Sequence, residues 1–144
     1  MFYLTKIFHF EAAHALAGYD GKCRNVHGHS YELHVTVKGM PINDKKNPKN
    51  GMVIDYHDLK HIVNEEIVGY FDHSLIIGPD MSPDFVEITK RDFEKVVEVP
   101  YQPTSENMLG DFSERIKKRL PENVRLYSLM LQETRDSFAE WREE

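Results

Sequence analysis

Two long stretches near the amino terminus alternate between apolar and polar positions. Phe2, Tyr3, Thr5, Ile7, Phe8 and Phe10 make residues 1–11 rich in aromatic and β-branched side chains, which predicts a strand running toward Ala12-Ala13-His14. Tyr31, Leu33, Val35 and Val37 alternate with Glu32, His34, Thr36 and Lys38, so residues 28–39 read as a half-buried strand. Between them Gly18, Asp20 and Gly21 mark a loop that carries Cys23. Asn50-Gly51 favours a tight turn and predicts a hairpin return through a short strand at residues 52–54.

The period then changes. Asp55 stands at an N-cap position before Tyr56, Leu59, Ile62, Val63, Ile67 and Phe71, whose three- and four-residue steps predict a helix over residues 56–69. Thr104 caps a second helix with Met108, Leu109, Phe112 and Ile116 on one face, ending near Pro121. Between the helices, apolar runs at Phe85, Val86, Ile88 and at Val96, Val97, Val99 read as a further hairpin. Val124, Leu126, Ser128 and Met130 lead into Gln132-Glu133-Thr134, a strand with a polar end. The expected architecture is α+β, one domain over residues 1–144, with helices covering one face of an antiparallel sheet of roughly four strands.

Composition narrows the function. A chain of 144 residues with 40% hydrophobic content can build a core without metal or disulfide staples, so any metal is functional. Lys plus Arg number 18 against 24 Asp plus Glu, and a net charge of -6 lacks the basic footprint that nucleic-acid binding requires. One cysteine excludes an intrachain disulfide and fits a reducing compartment. The apolar amino terminus is interrupted by Thr5, Lys6 and His9 and is too short for a signal segment or a membrane span. These features lead us to expect a soluble, cytoplasmic protein.

Eight histidines are the unusual feature. His27 and His29 lie two apart at the start of a strand and project from one face. Random placement would give about 0.4 such pairs, so the pair alone is weak. His14 ends the first strand, and an antiparallel return through the loop sets it beside His27. Three neutral imidazoles with an open position form a catalytic zinc site, whereas structural zinc takes four ligands rich in cysteine. The plainer alternative is three surface or hydrogen-bonded histidines.

Cys23 admits three readings: a fourth ligand, a buried filler, or a nucleophile or base beside the metal. Its neighbours Lys22 and Arg24 favour thiolate, and a loop position favours exposure. A closed CysHis3 site would leave no position for substrate, so an enzyme needs Cys23 off the metal. Asp72-His73 reads as an acid/base pair or as an ordinary helix exit. Glu106 falls in a helix's first turn, where the dipole favours any carboxylate, and Glu133 stands at a strand end. His9, His34, His57 and His61 fit surface positions.

Taken together, Phe10-Glu11-Ala12-Ala13-His14, Cys23-Arg24-Asn25-Val26-His27-Gly28-His29-Ser30-Tyr31, Gly51-Met52-Val53-Ile54-Asp55-Tyr56, Phe71-Asp72-His73, Pro103-Thr104-Ser105-Glu106-Asn107 and Glu133-Thr134 resemble the 6-pyruvoyl-tetrahydropterin synthase family. The motifs match in order over nearly the whole chain. The three-residue gap between Cys23 and His27 is similar to that of the bacterial queuosine-pathway branch, which forms 6-carboxy-tetrahydropterin. The animal pyruvoyl branch has a longer gap, and Cys23 argues against the branch that carries glutamate there.

The resemblance implies zinc on His14, His27 and His29, with Cys23 as general base activated by Asp72 and His73. It implies Glu133 as the anchor of a pterin's amino-pyrimidine edge, with Thr104, Ser105 and Glu106 near the same pocket. The implied substrate is 7,8-dihydroneopterin triphosphate, and Lys22, Arg24 or Lys38 would offset its charge. The implied fold is the tunnelling fold, a homo-oligomer, trimer or hexamer, whose sheets close into a barrel with active sites between subunits. A pyruvoyl-forming or side-chain-cleaving synthase is the nearest alternative, and a non-catalytic zinc- or pterin-binding module is another. The family usually continues Asp-His with two residues and then Leu-Asn, whereas here Ser74-Leu75 is followed by Ile76-Ile77. No family role carries over to residues 76–102.

Overall fold

The two alternating stretches pair with each other in the computed structural model, which describes residues 1–144. β1 (Phe2–His14) runs antiparallel to β2 (His27–Gly39), with Phe2 opposite Gly39 and His14 opposite His27. β3 (Ser74–Ile77) joins the other side of β1 in parallel, and β4 (Val96–Glu98) extends the sheet parallel to β3. β5 (Val124–Thr134) pairs antiparallel with β2, and β6 (Ser137–Arg142) returns along β5. The six strands lie in the order β4-β3-β1-β2-β5-β6.

α1 (Tyr56–Val63) starts where Asp55 accepts the amide of His57, then passes through a π turn at Asn64–Val68 into α2 (Gly69–Phe71). α3 (Pro83–Asp92) is capped by Ser82, and α4 (Ser105–Lys117) by Thr104. Phe8, Phe10 and Ala12 of β1 and Tyr31, Leu33, Val35 and Val37 of β2 point to one face. There they meet Leu59, Ile67 and Phe71 from the first helical stretch and Met108, Phe112 and Ile116 from α4. Each side chain the size of Leu33 or Leu59, both fully buried, contributes about 2 kcal/mol by leaving water. The opposite face of β1 carries Tyr3, Thr5, Ile7, His9 and Glu11, all exposed.

Several expectations need correction. The sheet is mixed, because β3 pairs in parallel with both β1 and β4. Residues 52–54 form no strand: β2 is flanked by β1 and β5, so no edge is free for a third partner. Val53 and Ile54 bury their side chains in the core instead. Phe85, Val86 and Ile88 belong to α3, where Ser82 accepts the Phe85 amide and Pro83 occupies the first turn. β6 was not foreseen.

Candidate functional site

The pairing of β1 with β2 gathers the three histidines. His14 lies opposite His27 and Ala12 opposite His29, and all three rings project from the helix-covered face. His14 Nε2 stands 3.1 Å from His27 Nε2 and 3.1 Å from His29 Nε2. One ligand atom from each residue lies within 4.8 Å of the others, and Cys23 is not part of the cluster. Nitrogens bonded at about 2.0–2.1 Å to one tetrahedral zinc stand roughly 3.3 Å apart, close to the observed spacing.

Backbone carbonyls fix the tautomers. His14 Nδ1 donates to the Pro103 carbonyl at 2.7 Å, and His27 Nδ1 donates to the Asn25 carbonyl at 2.7 Å. The His29 ring lies near Glu133, which counters the effect of burial on it. In a neutral ring whose Nδ1 carries the proton, Nε2 presents a lone pair. Facing lone pairs at 3.1 Å repel, and a shared cation removes that repulsion. The donor set therefore fits a divalent metal bound by imidazole.

Electrostatics agree with neutral rings. Burial, first of all, pulls the His14 imidazole below its ordinary value; the Pro103 carbonyl opposes this, while His27 and His29 add to it. Burial likewise lowers His29, with Glu133 opposing. His14 is only 2% exposed.

A cleft of about 320 Å³ opens beside His14 and is lined by Cys23, Thr104, Ser105, Glu106 and Glu133 among others. That is the lower end of the range for small-molecule sites. Cys23 reaches it from a 3₁₀ turn at Lys22–Arg24, and the loop is closed by the Leu16 amide on the Cys23 carbonyl at 2.8 Å. Thr104, Ser105 and Glu106 present the amino-terminal turn of α4, whose cap is the Thr104 hydroxyl accepting the Asn107 amide. Glu133 enters from the end of β5.

Asp72 and His73 both border a hollow separate from the Cys23 cleft, and His73 alone borders a second. One is formed with Ala13, Val26, Phe93 and Lys95, the other with Glu11, Gly28, His29 and Ser30. The Glu11 amide donates to Asp72 Oδ1 at 2.8 Å and the His73 amide to the Glu11 carbonyl at 2.6 Å. His73 adopts φ +58, and its Nδ1 lies 3.0 Å from Asp72 Oδ2. Within one chain, then, Cys23 and the Asp72-His73 pair do not share a cavity. Lys22 and Arg24 flank the cleft cysteine, but Lys38 is nine residues beyond His29 on β2, about 30 Å away, and does not line the same cleft.

Sequence reasoning missed Tyr31. It is 1% exposed, stacks on Phe10 at 4.9 Å and meets the His29 ring edge-on at 5.3 Å, yet its hydroxyl has no partner. Burial, then Glu133, push its phenol well above the ordinary range. The Ser105 hydroxyl is also buried without a partner, at the cleft wall. Tyr31 follows His29 by two residues on the same strand face, the spacing rule that linked His27 to His29.

Comparison with known proteins is consistent across the whole chain. The family model described as 6-pyruvoyl tetrahydropterin synthase matches residues 3–144. A 6-carboxy-5,6,7,8-tetrahydropterin synthase from Haemophilus influenzae is 36% identical over 145 residues, covering 99% of this chain and 100% of that protein. Another of that name from Aquifex aeolicus is 30% identical, with 98% of each chain covered. The structure of Caenorhabditis elegans 6-pyruvoyl tetrahydropterin synthase superposes with a TM-score of 0.67 at 25% identity, covering 99% of this chain and 96% of that one. Matched by that family model over nearly its whole length and by full-length relatives at 30% identity or more, the chain belongs to the 6-pyruvoyl tetrahydropterin synthase family.

Proposed function

We propose that this protein is a zinc-dependent carbon-oxygen lyase that converts 7,8-dihydroneopterin triphosphate to 6-carboxy-5,6,7,8-tetrahydropterin, releasing acetaldehyde and triphosphate, in queuosine biosynthesis. The observation that carries the reading is the convergence of three imidazole lone pairs beside a cleft that holds one thiol and two carboxylates. A zinc ion held by His14, His27 and His29 would supply Lewis acidity toward the two side-chain hydroxyls of the substrate. Glu133 accepts two N–H bonds from the amino-pyrimidine edge, as a carboxylate does with a guanidine-like pair. Thr104, Ser105 and Glu106 border the same ring. Cys23, activated by Asp72 and His73, removes a carbon-bound proton from the side chain. Triphosphate departs by elimination, and water completes cleavage of the remaining side chain. The electrons that reduce the ring come from the side chain, so no redox cofactor is required.

A homo-oligomer, trimer or hexamer, completes this scheme. The separation of Cys23 from Asp72-His73 supports a site assembled from two chains, and the open edges at β4 and β6 give sheets that can pair. The test is incubation with 7,8-dihydroneopterin triphosphate, with and without a chelator, followed by mass spectrometry. We expect 6-carboxy-tetrahydropterin and acetaldehyde, abolished by chelation and restored by zinc. A pyruvoyl product without acetaldehyde would replace this reading with the reaction named for the nematode structural relative.

A further inference from the structure

One chain of shielded polar groups spans the two corners of the proposed site. The Tyr101 hydroxyl donates to Asp111 Oδ2 at 2.6 Å, and Arg115 Nε donates to Asp111 Oδ1 at 2.9 Å. Arg115 Nη1 reaches the Glu66 carbonyl at 3.3 Å. Its guanidinium carbon lies 4.7 Å from the Tyr70 ring centre and 5.3 Å from that of Phe71. Asp111 and Arg115 are one turn apart on α4, with side chains 21% and 27% exposed, so solvent screens them less than an ordinary surface pair. Burial first, then Asp111, keep the Tyr101 phenol protonated and hence a donor. Burial opposes the Arg115 charge, but the Asp111 carboxylate outweighs it.

Each end of this chain leads to chemistry. Tyr101 begins a four-residue strap, residues 101–104. Within it the Pro103 carbonyl accepts a hydrogen bond from His14 Nδ1, and Gln102 Nε2 donates to the Ala17 carbonyl of the loop that carries Cys23. Asn107 Nδ2 and the Thr104 amide both donate to the Gln102 carbonyl. The strap presses on Gly78, where a Cβ would stand 3.0 Å from Pro103 Cδ and from the Tyr101 carbonyl. At the other end Arg115 grips Glu66, Tyr70 and Phe71, and Phe71 directly precedes Asp72-His73. Glu66 sits in the π turn, a type of irregularity that recurs at functional sites.

We infer that Tyr101, Asp111 and Arg115 are positioning residues, a brace on α4 that holds the His14 strap and the Asp72-His73 corner in one frame. The meaning of the two ends rests on the function proposed above, but metal affinity is read without substrate. The experiment compares Tyr101→Phe, Asp111→Asn and Arg115→Lys with the unaltered protein, using Zn²⁺ competition against a chromogenic chelator, visible spectra of the Co²⁺-loaded protein, and steady-state kinetics. Tyr101→Phe and Asp111→Asn are expected to weaken Zn²⁺ binding about tenfold and to shift the Co²⁺ spectrum, as loss of support behind a liganding histidine does. Arg115→Lys is expected to keep Zn²⁺ affinity while lowering kcat about tenfold at constant KM.

A merely structural ion pair would move the thermal midpoint alone. Wild-type Zn²⁺ affinity and Co²⁺ spectra in Tyr101→Phe and Asp111→Asn, with wild-type kcat in Arg115→Lys, would overturn the inference. Tyr101→Phe retains the ring and removes a single hydrogen bond, so it decides the metal arm even if Asp111→Asn fails to fold. An unaltered protein that binds Zn²⁺ but converts no pterin triphosphate would overturn the functional reading, while the affinity comparison would still judge the brace.

Discussion

The histidine cluster and the Asp72-His73 corner differ in how much of their environment one chain supplies. His14 is buried, its tautomer is set by Pro103, and His27 is oriented by the Asn25 carbonyl of the same chain. His73 has a side chain 77% exposed, and it faces a hollow that the Cys23 cleft does not reach. A metal centre has to be rigid before the ligand arrives, because misplaced donors cost affinity. A proton relay can instead be completed by a neighbouring surface. The contrast teaches that one chain orients the histidine cluster by itself, whereas the Asp72-His73 corner leaves an exposed face, which on the proposed function a neighbouring chain would complete.

The largest effect tests the first half. Cys23→Ala is expected to retain stoichiometric zinc and to lose activity by about two to four orders of magnitude, the scale of a lost general base, measured as kcat alongside metal content. Loss of zinc together with activity would make the thiol a ligand and erase the distinction between the two regions.

An intermediate effect tests the second half. Cys23→Ala and His73→Ala proteins, each inactive alone, are expected to regain activity when unfolded and refolded together, because mixed oligomers restore one intact site. If the mixture stays as inactive as its parts, each chain houses its own relay and the sharing account fails.

The smallest effect concerns acid stability. The Glu11 amide, more than any other partner, holds the Asp72 carboxyl below its ordinary 3.8, with His73 assisting. A depressed carboxyl contributes stability that is present above that value and lost as pH falls through the folded one. Asp72→Asn keeps an acceptor for the Glu11 amide but removes the titration, so its thermal midpoint should fall less steeply below pH 3.8. With Asp72 37% exposed, solvent screening keeps this difference small. Equal acid limbs in the two proteins would remove Asp72 as a source of acid sensitivity.

The two regions also differ in how readable they were. β1 and β2 have one buried face each, so period-two alternation gave their register and placed His14 beside His27 and His29. β3 lies between β1 and β4, and its Leu75-Ile76-Ile77 run has no alternation to detect, as expected for a strand inside a parallel segment. In α3 the apolar residues Phe85, Val86 and Ile88 mimic a strand's apolar run, although Ser82-Pro83-Asp84 carries a cap, a first-turn proline and a first-turn acid. β6 was hidden because it is an edge strand whose residues are mostly exposed. The roles of the Pro103 and Asn25 carbonyls were invisible for a simpler reason: backbone acceptors leave no residue-type signature.

Zinc K-edge absorption spectroscopy of the purified, metal-loaded protein addresses the ligand set directly. The account predicts one zinc per chain with only nitrogen and oxygen neighbours, unchanged in Cys23→Ala. A sulfur neighbour at about 2.3 Å, lost in that variant, would contradict it.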